Sequence, residues 1–179
     1  MLAARIETHR SQQSMREYER LLFGDSRDEI TVDPSFCFHF EEGRYAANWI
    51  YDGPYRFRKY LFPQVGELKP EGEEFECAAF LDQLPEVSYW VRNLERRPTS
   101  SFWLQTATDR FYPDFVAILK DGRILVVESK GSDRWSNDDS KEKRTLGELW
   151  SSRSDGKCLF VMPNGPDWKA ITRKIAESS

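Results

Sequence analysis

The chain is poor in the residues that most often mark a site. Its three cysteines, Cys37, Cys77 and Cys158, are far apart and odd in number. They form no CxxC pair, which excludes a disulfide framework and a zinc ribbon. Histidine is scarcer still, with only His9 and His39. With no GxSxG either, a histidine-based hydrolase has little to work with. Neither GxxxxGK(S/T) nor GxGxxG occurs, so the phosphate-cradling loops of ATPases and dinucleotide enzymes are missing. No run of about 18 apolar residues exists, and the opening MLAARIETHR lacks the apolar stretch of a signal peptide. Neither membrane insertion nor secretion is expected, and a reducing cytoplasm is the expected compartment. A surplus of one charge is absent too. The 26 Lys and Arg against 30 Asp and Glu leave a formal charge of -4. That excludes a bulk nucleic-acid binder and confines any DNA contact to a local basic patch.

What is present suits one soluble domain with a sizeable core. Hydrophobic residues make up 39% and aromatics 14% of the 179 positions, too many for a disordered chain. Residues 1–66 read as an N-terminal extension: a helical pattern over 7–23, then an aromatic-rich β segment. Phe36-Cys37-Phe38-His39-Phe40 alternates as a strand with one buried face. Cys37 and His39 would suit half of a metal site, but are read here as a buried small residue beside an ordinary histidine. In Tyr55-Arg56-Phe57-Arg58-Lys59-Tyr60 basic residues interleave with aromatics. That pattern fits either a stacking surface for nucleic acid or a segment with its rings on the core and its charges in water.

Past a junction at Pro63–Glu71, residues 67–179 form the second expected region. The pattern predicts a helix over 73–84, strands at 87–92, 102–106, 112–119 and 123–128, a helix at 139–152, a strand at 157–161 and a helix at 166–177. That order predicts an α/β domain with a mixed central sheet and helices on both faces.

The chemistry gathers at two strand ends. Tyr112-Pro113-Asp114 opens one strand, and Ile124–Val127 runs into Glu128-Ser129-Lys130. Residues i and i+2 of a strand share a face, so Glu128 and Lys130 project together. Two carboxylates beside an ammonium make a hard-cation site, with oxygen ligands that suit magnesium. Phosphodiester hydrolysis needs those parts: an ion to polarise phosphate and water, and a lysine to orient the water or offset charge. The alternative reading is of solvated strand-end charges. To share an ion, Asp114 and Glu128 must lie on one face. A two-residue Asp121-Gly122 turn would set Asp114 opposite Ser129. A three-residue Lys120-Asp121-Gly122 loop sets it opposite Glu128, with Gly122 at positive φ. Both faces are apolar, so hydrophobicity does not choose. The chemistry selects the three-residue loop, or a bulge near Asp114.

The stretch from about Tyr45 to Pro163 resembles the C-terminal endonuclease domain of type III restriction enzyme Res subunits and related DEAD/DEAH-box helicase-like proteins. The segments that carry the resemblance are Tyr51-Asp-Gly-Pro54, Tyr60-Leu-Phe-Pro63, Gly72-Glu-Glu-Phe-Glu-Cys-Ala78, Tyr89-Trp-Val-Arg-Asn93, Arg110-Phe-Tyr-Pro-Asp-Phe115, Val127-Glu-Ser-Lys-Gly131 and Ser140-Lys-Glu-Lys-Arg144. It implies a restriction-endonuclease-like PD-(D/E)XK fold and Mg2+-dependent DNA cleavage, with Mn2+ as a substitute. It also implies Asp114, Glu128 and Lys130 as catalytic positions, the two carboxylates being metal ligands. A helix before the sheet often adds an acidic ligand in this superfamily. Glu76 is favoured for that role and Glu73 is the reserve, although acids in a first turn also stabilise a helix with no metal. Lys141, Lys143 and Arg144 are candidates to meet DNA phosphates. Their alternative is local compensation by Asp138, Asp139 and Glu142. Relatives often carry an aromatic where Ser129 stands, and its side chain is expected to face away from the site. The resemblance further implies an upstream helicase/ATPase region and a methyltransferase subunit. The chain has neither motif, so it is expected to be an excised domain or a stand-alone relative. A non-catalytic nuclease-like module that binds DNA or docks a helicase is the rival function.

Overall fold

A computed structural model describes residues 43, 45–97, 100–106, 109–131 and 138–177. The expected helix at 7–23, the Phe36–Phe40 strand, Cys37 and His39 lie outside the described residues. Among these residues six strands and three helices occur, in the order α1 (Glu73–Gln83), β1 (Val87–Arg92), β2 (Leu104–Gln105), β3 (Arg110–Phe111), β4 (Phe115–Leu119), β5 (Ile124–Val127), α2 (Asp138–Ser152), β6 (Cys158–Val161) and α3 (Lys169–Glu177). The expected elements occur in the expected order, with most boundaries within three residues, but β3 is an additional strand that the pattern does not predict. The four-stranded sheet runs β1-β4-β5-β6. Its first three strands are antiparallel and β6 joins β5 in parallel, so the sheet is mixed. β2 and β3 form a separate small hairpin.

Strand alternation divides the core between the two faces. Phe115, Ala117, Leu119, Leu125, Val127, Leu159 and Val161 join one cluster with Cys77, Ala78 and Leu81 of α1 and Ile171 and Ile175 of α3. Val116, Val126, Cys158 and Phe160 join the other, with Leu146 and Trp150 of α2. Helices therefore cover both faces. α2 approaches closely because position 147 is glycine: a Cβ there would fall 2.5 Å from the Phe160 ring. Cys77 and Cys158 are buried free thiols. No helix among the described residues is long and apolar enough to cross a membrane.

The stretch before α1 packs onto the same body. Val65 and Leu68 belong to the α1-side cluster, with Tyr51, Phe57 and Tyr60 against it. Tyr60 bridges in parallel to Trp90 of β1. Buried Asp82 accepts the backbone N–H groups of Arg58 and Lys59 at 3.0 and 2.9 Å and the Trp90 indole N–H at 3.0 Å. The Arg56 and Arg58 side chains stay exposed. Lys59 is half-buried and donates its ammonium to the Leu84 carbonyl. With the rings on the core, the structure favours the packing reading of the segment.

Candidate active site

The β4–β5 hairpin positions the first two site residues. Phe115 pairs with Val127 and Ile118 with Ile124. The Leu119 N–H donates to the Arg123 carbonyl at 2.9 Å, and the Gly122 N–H to the Leu119 carbonyl at 3.0 Å. Gly122 has φ +90°, a backbone region that glycine enters without the Cβ penalty. The loop is thus Lys120-Asp121-Gly122, and the same register carried one step past Phe115 and Val127 sets Asp114 opposite Glu128. No bulge interrupts this pair.

Asp114 is held from three directions. Its backbone carbonyl accepts the Asn93 N–H at 2.8 Å. Arg92, at the end of β1, donates Nη1 to Asp114 Oδ1 at 2.8 Å and to that carbonyl at 2.9 Å, while its Nη2 reaches Glu74 Oε2 at 2.9 Å. Ser129 donates both its backbone N–H (2.8 Å) and its hydroxyl (2.7 Å) to Asp114 Oδ2. The expectation that Ser129 faces away is therefore corrected. β5 ends at Val127, so strand alternation no longer governs Ser129 and its hydroxyl turns to the carboxylate. A carboxylate oxygen offers about two acceptor positions, so Oδ2 is full and Oδ1 retains one. Burial alone would lower the Arg92 pKa, but the charges of Asp114 and Glu74 outweigh it and raise the pKa instead.

Glu128 is 6% exposed. Among the described residues its one ion-pair partner is Lys130, with Nζ 3.5 Å from Oε1. Burial and then the charge of Asp114 push the Glu128 carboxyl well above the usual carboxylate range, against the pull of Lys130 and Lys143. Lys130 also lies 4.0 Å from Asp139. Asp114, Glu128, Ser129 and Lys130 open on a cavity of about 700 Å3, whose wall also includes Glu74, Glu95, Asp109, Arg96, Arg110 and Lys143.

α1 turns its acidic residues in different directions. Glu76 is exposed and absent from the cavity wall, whereas Glu74 lines it. Cys77, Ala78 and Leu81 form the buried side of α1. Positions three, four and seven residues before them share that side, which selects Glu74 and turns Glu76 outward. Glu73 is half-buried but does not line the cavity either. Burial raises the Glu74 pKa most, Asp114 adds to the rise and Arg92 opposes it. The apolar phase of the helix is the sequence signal that puts Glu74 on the cavity side; linear motif position carries no azimuth. Among the described residues no three His, Cys, Asp or Glu side chains come together as a metal-holding group.

The three basic candidates separate. Lys143 lines the cavity, with Nζ 2.9 Å from Asp139 and 5.5 Å from the centre of the Phe111 ring. Burial would lower its pKa, but the hydrogen bond to Asp139 and the charge of Glu128 outweigh that and raise it. Lys141 is exposed beside Asp138 at 3.0 Å, and Arg144 is half-buried; neither lines the cavity. Arg92 is a site residue to which sequence reasoning gave no role, although it stands in the Tyr89–Asn93 motif. Trp90 of the same motif is fully buried core. Comparison with protein-family models, curated proteins and solved structures finds no match to this chain.

Proposed function

We propose that this chain is a metal-dependent DNA endonuclease domain of the PD-(D/E)XK class, the nuclease part of a type III restriction or helicase–nuclease system. The observation that carries the reading is the hairpin register, with Asp114 opposite Glu128 and Lys130 3.5 Å from Glu128 on the wall of one cavity. The resemblance of the motifs supplies the substrate class. Magnesium takes one or two carboxylates and keeps several waters. The free acceptor position on Asp114 Oδ1 and the under-partnered Glu128 fit that need, with Mn2+ as a substitute. When bound, the ion supplies Lewis-acid polarisation of a phosphate and a more acidic water. Arg92 and Ser129 fix the Asp114 carboxylate, and Lys130 offers a positive charge for the attacking water or the developing phosphorane charge.

One observation favours the rival, a nuclease-like module without catalysis. Arg92 already provides a buried cation to both Asp114 and Glu74, so part of the acidic cluster is neutralised by the protein itself. A cleavage assay separates the two. Plasmid and linear DNA should be nicked or degraded with Mg2+ or Mn2+ and stay intact in EDTA, and Asp114→Ala and Lys130→Ala should each lower the rate by at least about 100-fold. Cleavage that survives either substitution sinks the assignment. DNA binding by the wild type without any cleavage leaves the module.

A further inference from the structure

We infer that DNA is gripped at this cavity by Arg96, on the loop after β1, and Arg110, on the β2–β3 hairpin, rather than by Lys141 and Arg144 of α2. The inference rests on the proposed DNA substrate and names the surface that meets its phosphates.

Four observations point to it. Arg96 and Arg110 line the same cavity as Asp114 and Glu128, and Lys141 and Arg144 do not. A strand whose phosphate reaches the carboxylate pair must therefore pass the first two. Their partners differ too. The lysines of α2 stand beside its own acids, Lys141 beside Asp138 and Lys143 beside Asp139. No carboxylate of the described residues forms an ion pair with the side chain of Arg96 or Arg110. Arg110 is also preorganised: its guanidinium carbon lies 4.5 Å from the centre of the Trp103 ring. Stacking fixes the plane of the fork yet leaves its N–H edge open, the geometry that suits a phosphate. Lastly, Arg96 sits at φ +55°. A left-handed backbone costs a residue that carries a Cβ about 1 kcal/mol or more relative to glycine, and such strain gathers at functional sites.

Glu95 and Asp109 stand on the same wall and oppose an anion. Asp109 is partly engaged, since its Oδ1 accepts the Arg110 backbone N–H at 2.8 Å. The grip is accordingly modest, on the order of two or three phosphate contacts.

Anisotropy of a fluorescein-labelled DNA duplex, titrated with the full chain in EDTA across a salt series, tests this without cleavage. Arg110→Ala and Arg96→Gly should each lower the slope of log affinity against log salt by about 0.9, whereas Lys141→Ala should leave it unchanged. Glycine suits the positive φ, so Arg96→Gly should lose DNA affinity while melting no lower than the wild type. Trp103→Leu keeps every charge, and should weaken binding about three-fold at an unchanged slope. Wild-type slopes in both arginine variants, or no salt-dependent binding by the wild type, overturn the inference. The nuclease reading fails separately, through absent Mg2+-dependent cleavage by a chain that still binds with these slopes.

Discussion

Two buried carboxylates, Asp82 and Glu128, are nearly equal in exposure at 5% and 6% and opposite in their surroundings. Asp82 sits under the aromatic segment and receives two backbone N–H groups and an indole N–H, all near 3.0 Å. The indole N–H would otherwise be buried without an acceptor and the two backbone N–H groups are part-buried, so the carboxylate ties residues 58–59 to α1 and β1. Glu128 faces a cavity, with Lys130 at 3.5 Å and the like charge of Asp114 across the hairpin. Burial alone therefore does not mark a functional acid. The partners do: a saturated carboxylate is a fastening, whereas one short of donors and next to another acid is ready to accept a cation or a proton.

The comparison breaks first at Asp82. Asp82→Ala strands the buried Trp90 indole N–H and two part-buried backbone N–H groups and should cost about 2 kcal/mol or more, read as a fall in urea midpoint at constant slope. A loss below about 1 kcal/mol would mean that water satisfies those groups and that Asp82 is no fastening.

Glu128→Gln should act in the opposite direction. A carboxyl whose folded pKa is raised holds its proton in the native state over a range where the unfolded chain has released it. Wild-type stability should then fall as pH rises from the ordinary carboxylate range towards that raised value, by at most about 1.4 kcal/mol per pH unit for one proton. In EDTA, Glu128→Gln should remove this slope and stabilise the fold at neutral pH while abolishing cleavage. A variant less stable than the wild type at neutral pH would place Glu128 with Asp82 as a structural acid.

The smallest effect belongs to the basic residues of the aromatic segment. Arg56→Ala and Arg58→Ala should change stability by no more than about 0.5 kcal/mol and leave the salt slope of DNA binding intact. A reduced slope would restore that segment as a nucleic-acid surface.

Periodicity made most strands and helices of the described core legible but left the hairpin register open, because both faces are apolar and Asp121-Gly122 suits a two-residue turn as well. Only the requirement that Asp114 and Glu128 share a face selects the three-residue loop, and the Leu119–Arg123 bond shows that register. Three features did not follow. Glu74, not Glu76, lines the cavity, because matching a motif along the chain ignores the rotation of a helix. Ser129 turns to Asp114 because alternation does not extend beyond the end of β5. Arg92 had no assigned role because its partners come from α1 and the start of β4, segments far from it in the chain. Side chains at element ends depend on tertiary neighbours, and those are what a linear reading lacks.

The hairpin loop also bears on the order in which the site is assembled. Asp114 and Glu128 are brought together by a local antiparallel pair, the kind of contact that closes early because little chain must be ordered first. The parallel pairing of β5 with β6 needs the whole α2 crossover, and with it come the bond from the Glu128 N–H to the Val161 carbonyl and the Lys130–Asn164 bridge. By that topology the acidic pair should form first and the wall that buries it later. The two carboxylates are then expected to meet while water still screens their repulsion, and to be desolvated only once Lys130 is locked beside them.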